Sequence, residues 1–315
     1  MSEPVTDVLG APYTAETIEL PDDSEGRVVA TLVKRPAHTT TRKAVLYVHG
    51  FCDYFFQTAY AEWWTERGYD FYALDLRKYG RSLLPHQTPN YVADLREYWP
   101  ELDAAWQRVT ERDGHDHVVL SAHSTGGLTL PLWASERRVP IAGMVLNSPW
   151  FDLQGSAVER GIGTRVIHRI AAVAPMRTMP RTVSGLYTQS LHVNHSGEFD
   201  FELSWKPVQS WPVRFGWISA IRRGHAELHR GLAIEAPVLV LSSAASTWPA
   251  EMSDAVHTHD IVLDVQQIRR WASSLGTHVT SVAIDGGRHD LSLSRLPARE
   301  AFYAEIGRWA DAYLS

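Results

Sequence analysis

Ser124 stands in the run Ala122-His123-Ser124-Thr125-Gly126, with a small residue two positions away on either side. A serine hydroxyl becomes a nucleophile only when a base takes its proton, and it must stand clear of the backbone for a carbonyl to reach it. A strand that turns sharply into a helix gives that clearance, and crowding at such a turn demands the small flanking residues of the pattern G-x-S-x-G. Ala122 departs from the pattern by one methyl group. The apolar "HVVL" before the serine and "GGLTLPLWAS" after it supply the expected strand and helix. Acyl transfer at Ser124 would also need backbone donors for a developing oxyanion. The Thr125 amide follows automatically. A second donor is expected from Phe51, at the end of "YVHGF" (47–51), where Gly50 lets the chain turn and His49-Gly50 supports the loop.

Among fifteen histidines, His289 in "DGGRHDLSL" is the best-placed base, because it follows the last expected strand at the same end of the sheet as the serine. The carboxylate that orients it should follow "PVLVLSS" (237–243), where Asp254, Asp260 and Asp264 compete. Asp264 precedes "VQQIRRWASSL" and suits a helix cap. Asp254 lies in a polar stretch without an evident anchor. Asp260 is favoured because Ile261-Val262 would tuck its loop against the core, with Asp264 the main rival. The runs "HDH" (115–117), "HVNH" (192–195) and "HTH" (257–259) complete no recognisable ligand set, so neither a metal nor a cofactor is expected. Cys52 adjoins Phe51, and bulky thiol reagents are expected to interfere there.

These residues need a scaffold, and the apolar runs describe one. "AVLYVH" (44–49), "YDFYALDL" (69–76), "HVVLSAH" (117–123), "IAGMVLN" (141–147), "PVLVLSS" (237–243) and "VTSVAID" (279–285) are mostly continuous in hydrophobicity, as strands covered on both faces are. Helical patterns alternate with them, notably residues 53–68, ending on Gly68, and residues 94–110, which Pro100 must kink or restart. The fold class is therefore α/β with a mostly parallel sheet, led by an antiparallel hairpin over residues 17–37. One connection is out of proportion, spending more than eighty residues between "IAGMVLN" and "PVLVLSS". It implies a core of residues 1–150 and 234–315 with an inserted subdomain at 151–233. Residues 153–231 hold ten Arg and Lys against five Asp and Glu, so this stretch carries +5 and the remainder −11. Trp205, Trp211, Phe215 and Trp217 in the insertion, with Trp150 and Phe151 at its start, would either line an apolar pocket or form the insertion's own core.

The chain has 315 residues and a net charge of −6, which argues against a nucleic-acid partner. A single cysteine excludes an intrachain disulfide, and the opening "MSEPVTDVLGAPYTAE" has neither a basic nor an apolar leader segment. The expected location is cytoplasmic, with any membrane contact peripheral, since no window has the roughly 18 apolar residues of a membrane-spanning helix. The oligomeric state is left open.

Taken together, the markers resemble the serine α/β-hydrolases, in the branch of monoacylglycerol lipases, lysophospholipases and serine aminopeptidase-like enzymes. They run from about residue 43 to the C-terminus: "VHGF", "ALDLRKYGRS" (73–82) for that branch's D-x-R-G-x-G-x-S turn, "SAHSTGG", "DIVLD" (260–264) and "GGRHD". The resemblance implies an α/β-hydrolase fold, a Ser124-His289-Asp260 triad and an insertion that acts as a lid over the acyl pocket. It also implies hydrolysis of a carboxylic ester, monoacylglycerol- or lysophospholipid-like, through an acyl-enzyme. An acyltransferase or peptidase would use the same triad, and a catalytically silent member would keep the fold to bind a ligand. The chain departs from the pattern at Ala122, at Lys78-Tyr79 where Gly-His is usual, and in about a dozen extra residues before Asp260.

Overall fold

The computed structural model describes residues 3–180 and 184–314. Nine strands form one sheet: β1 Val5–Thr6, β2 Thr14–Asp23, β3 Gly26–Arg35, β4 Lys43–Val48, β5 Asp70–Asp75, β6 His117–His123, β7 Gly143–Asn147, β8 Val238–Ser243 and β9 Val279–Ile284. The spatial order is β1-β2-β3-β5-β4-β6-β7-β8-β9. From β5 to β9 every pairing is parallel, while β1, β2 and β3 add an antiparallel edge. The continuous apolar runs of β4, β6, β7 and β8 are buried along nearly their whole length, as two-sided cover requires. The chain order reverses between β5, β4 and β6, and a ligand crevice forms outside the strand ends at such a switch.

The helices are α1 Thr58–Thr65, α2 Trp99–Gln107, α3 Gly126–Arg137, α4 Ala157–Val173, α5 Leu186–Leu191, α6 Phe215–Leu228, α7 Asp254–Thr258, α8 Val265–Trp271 and α9 Leu296–Tyr313. One apolar cluster buries α2, α3, α6 and α8 against one face of the sheet, and a second buries α1 and α9 against the other. Helix α1 is shorter than the expected 53–68. Residues 53–57 stay in a buried loop because their amides find other acceptors: Phe55 donates to Asp75 Oδ1 at 3.0 Å and Phe56 to Gln57 Oε1 at 3.0 Å. Pro100 restarts the 94–110 segment: a turn at Leu95–Tyr98, capped by Asp94 and Glu97, passes into α2, where Pro100 occupies the first turn and its missing N–H costs nothing.

Between β7 and β8 the chain carries α4, α5 and α6. Helix α6 is embedded, since Trp217, Ile218, Ile221 and Leu228 belong to the same cluster as the sheet. A smaller cluster joins Tyr187, Leu191 and Phe201 to Tyr54 and Phe56 of the β4–α1 loop. Of the insertion's arginines, Arg181 lies outside the described residues. No helix of the described residues is long and apolar enough to cross a membrane.

The tightest packing lies where β6 enters α3. A Cβ on Gly126 would sit 2.4 Å from the His49 carbonyl oxygen and 2.6 Å from that of Val48, and one on Gly127 would sit 2.6 Å from Pro149 Cβ. Gly126→Ala is therefore expected to lower stability by about 1–3 kcal/mol through overpacking against rigid backbone. Gly161→Ala, in open space on α4, should be neutral or raise stability by up to about 1 kcal/mol. Urea unfolding midpoints of the two variants check the contrast.

Candidate active site

Ser124 holds a φ of 53°, a left-handed conformation that an L residue adopts only when its surroundings enforce it. The Gly126 contacts enforce it here, and Ala122 fits because its methyl lies fully buried between Val48 and Leu146 on the paired strands. The turn lifts the serine hydroxyl to the cavity above β6. His289 comes from the loop after β9, and its Nε2 lies 3.0 Å from Ser124 Oγ. Its Nδ1 lies 2.9 Å from Asp260 Oδ2. Asp260 Oδ1 accepts from the Val262 and Leu263 amides at 2.8 and 2.7 Å, so the carboxylate is fully buried yet hydrogen-bonded at both oxygens.

The extra residues before Asp260 do not displace it. The chain leaves β8, passes through α7 and returns at a bridge between Ser246 and Asp260, so 247–259 form an excursion closed at its base. Asp264 instead caps α8, accepting from the Gln266 amide at 3.0 Å, and Asp254 pairs with Arg295 at the surface.

The two expected backbone donors are aimed from behind. In a planar trans peptide the carbonyl and the following N–H point in opposite directions, so holding one aims the other. His49 Nε2 accepts from the Leu76 amide, which leaves Nδ1–H to donate to the Gly50 carbonyl at 2.8 Å and turns the Phe51 N–H the other way. The Ser124 carbonyl accepts from the Gly127 and Trp150 amides at 3.0 and 2.9 Å, which does the same for the Thr125 N–H. Among the described residues, neither the Phe51 nor the Thr125 amide has an acceptor within the protein. Tyr79, one of the departures from the family's turn, packs its ring 4.8 Å from that of His49. Lys78, the other, is buried against Asp23 and Glu25.

Ser124, Thr125, Phe51 and His289 open onto a cavity of about 550 Å³. Of the residues expected to line it, Trp150 and Trp217 do, their rings tilted to one another with centroids 5.9 Å apart and Phe51 beside Trp217 at 4.4 Å. Phe151, Trp205 and Trp211 do not, which corrects the sequence expectation. Consecutive residues point in different directions, and Phe151 turns from Trp150 into the main core. Trp205 packs edge-on to Tyr54 at 5.1 Å, and the Trp211 indole nitrogen is buried without a partner. Ile167, Met179, Val213 and Ile261 add apolar lining that composition alone did not single out.

Sequence reasoning also missed the polar lining. Lys206 Nζ donates to Asp53 Oδ1 at 2.8 Å, with side-chain exposures of only 4% and 2%. Burial alone would raise the Asp53 carboxyl, but the facing ammonium holds it below its ordinary value. Lys206 is the only lysine after Lys78, a rarity that could have drawn notice. Asp290 is a buried hub, accepting from Asn147 Nδ2 at 2.7 Å and Gln57 Nε2 at 3.1 Å, while its amide donates to the Tyr187 hydroxyl at 3.1 Å. Trp150 is braced as well: its carbonyl accepts from His225 Nε2 at 2.9 Å, and burial keeps that imidazole neutral with its pKa pushed down to about 3. His115, His192 and His257 of the three histidine runs bond instead to Tyr72, the Phe201 carbonyl and Arg288.

The serine aminopeptidase S33 family model matches residues 39–293. The chain belongs to this family of α/β-hydrolases. Among solved structures, this hydrolase is similar to a soluble variant of the monoglyceride lipase from Saccharomyces cerevisiae in complex with a substrate analog, at 16% identity and TM-score 0.68 over 94% of each chain. It is also similar to the monoacylglycerol lipase of Paleococcus ferrophilus, at 20% identity and TM-score 0.64 over 90% of this chain and 99% of that one. A highly thermostable carboxyl esterase from Bacillus coagulans matches at 13% identity and TM-score 0.67 over 96% and 99%. At these identities the likeness is one of fold. Comparison with curated protein sequences finds no match.

Cys52 lines the cavity beside Phe51, and burial pushes its thiol up from the ordinary range. In the native hydrolase it is expected to react with a charged disulfide reagent roughly tenfold or more slowly than in the urea-unfolded chain, because the thiolate is the reactive form. The absorbance of the released thiolate checks this.

Proposed function

We propose that this hydrolase cleaves carboxylic esters with an apolar acyl chain, monoacylglycerol- or lysophospholipid-like, through an acyl-enzyme on Ser124. The observation that carries this reading is the continuous chain from Asp260 to His289 to Ser124, at 2.9 and 3.0 Å, opening onto a cavity served by two acceptor-free amides. His289 Nε2 takes the serine proton as Oγ attacks the ester carbonyl. Asp260 holds the other ring nitrogen protonated and stabilises the imidazolium that forms. The Phe51 and Thr125 amides receive the negative charge on the carbonyl oxygen. The leaving alcohol takes the proton from His289, and a water activated by the same nitrogen then releases the acid.

Residues 151–233 act as a cap. They contribute Trp217, Ile167, Met179 and Val213 to a cavity whose volume falls within the roughly 300–1,000 Å³ of sites that enclose small molecules. An apolar wall of this kind favours an acyl chain because each buried methylene contributes about 0.8 kcal/mol.

A fluorophosphonate is expected to add covalently to Ser124 in the folded protein, read as a mass increase on the peptide that carries it. Absence of the adduct would remove the hydrolase reading. On p-nitrophenyl esters, octanoyl should exceed acetyl in kcat/KM by about tenfold or more, since several methylenes enter the apolar lining. Asp260→Asn should lower kcat by about 10⁴-fold, by analogy with the same change in serine proteases, while Asp264→Asn keeps the helix cap and leaves turnover near the wild-type value.

A further inference from the structure

The β4–α1 loop that carries Phe51 is held, residue after residue, by the insertion. The Phe51 ring meets Trp217. The Cys52 thiol borders the cavity beside Ser210, close to the Trp211 backbone. The Asp53 carboxylate meets Lys206, and the Tyr54 hydroxyl accepts from the Glu202 amide at 2.6 Å while its ring lies against Trp205. As the loop advances from 51 to 54, its partners run backwards from 217 to 202, so the two segments lie along one another as a continuous strip.

The loop needs such a hold. Cys52 has a φ of 51°, in the left-handed region that non-glycine residues avoid, and such conformations persist only when surrounding structure over-determines them. Among the four contacts, Lys206 with Asp53 is the ionic one, and it is buried on both sides. Lys206 Nζ also lies 5.4 Å from the Tyr187 ring and 5.9 Å from that of Phe56, so its position is set from three directions.

We infer that Lys206 is a positioning residue: by holding Asp53 it fixes the Phe51 peptide plane, so the oxyanion site is complete only while the insertion is seated. The inference rests on the hydrolase reading above, in which the Phe51 N–H receives the oxyanion. His49 holds that peptide from the sheet side and Lys206 holds the loop from the insertion side. Loss of the second grip leaves a strained loop free to swing its amide away.

The test uses the full chain and three variants, Lys206→Met, Asp53→Asn and the double substitution, with rates expressed per fluorophosphonate-titrated site. Lys206→Met and Asp53→Asn should each lower kcat on p-nitrophenyl octanoate by about 10- to 100-fold, a large part of the effect of losing one oxyanion donor. KM should stay within about threefold, since the loss falls on the transition state. The inhibition constant for an alkyl trifluoromethyl ketone, whose serine adduct carries the oxyanion, should rise in parallel. The double variant leaves no buried charge unpaired, so its Tm should return toward the wild-type value while its kcat stays low. The inference is overturned if kcat in Lys206→Met stays within about twofold of wild type, or if the loss lies in KM alone, which would make Lys206 a substrate contact. Recovery of kcat together with Tm in the double variant would overturn it too, leaving the pair a purely structural role. A wild-type chain that neither turns over the ester nor forms the Ser124 adduct would overturn the hydrolase reading and this inference with it, a failure separate from the other three.

Discussion

The site depends on how closely two strand ends approach. The start of α3 passes so near the end of β4 that a single methyl on Gly126 would meet two carbonyl oxygens inside 2.7 Å. That contact goes with the left-handed φ of Ser124 and brings the serine beside Gly50. A parallel sheet makes the approach possible, because β4 and β6 are neighbours that end at the same level, with Val48 paired to Ala122. Strain at the turn is held by packing on all sides, and the serine hydroxyl is thereby delivered to the crevice without a helix or strand hydrogen bond restraining it.

Around that turn the chain uses neutral hydrogen bonds where direction matters and ion pairs where segments must be joined. The amides of Gly127 and Trp150 and the His49 ring fix carbonyls, and each fixed carbonyl aims the N–H of its own peptide. The buried carboxylates Asp260 and Asp290 accept from backbone or neutral side-chain donors in addition to any charged neighbour, which suits groups whose orientation the histidine loop depends on. The ion pairs Lys206 with Asp53 and Arg81 with Asp7 tie elements far apart in the chain, while Arg77 with Glu101 and Arg81 with Asp75 join nearer segments. Burying such a pair adds little net stability, but removing one partner strands a charge, so these pairs restrict where the elements can sit.

Legibility differed sharply between the core of the site and its surroundings. Ser124, His289 and Asp260, which the structure links by contacts of 3.0 and 2.9 Å, stood out as candidates because each sits in a local pattern: a small-residue turn after a strand, a glycine-bearing loop after the last strand, an acid followed by an apolar pair. The strands were readable because burial on both faces leaves unbroken apolar runs. The helix expected at 53–68 was shortened because Asp75, distant in sequence, captures the Phe55 amide. The aromatic residues were right in kind and only partly right in place, since Trp150 lines the cavity while its neighbour Phe151 is wholly taken into the main core.

What the sequence by itself determined is the order of the elements and which residues are candidates for the site, because small residues at a turn, apolar runs and capping acids act through their nearest neighbours. Only the tertiary structure decided that Ser124 meets a histidine 165 positions later, that Asp53 meets Lys206 153 positions later, and that the Trp150 amide braces the serine's own peptide. Those contacts depend on angles accumulated over the whole sheet and on how the insertion folds back across it. No local pattern records them.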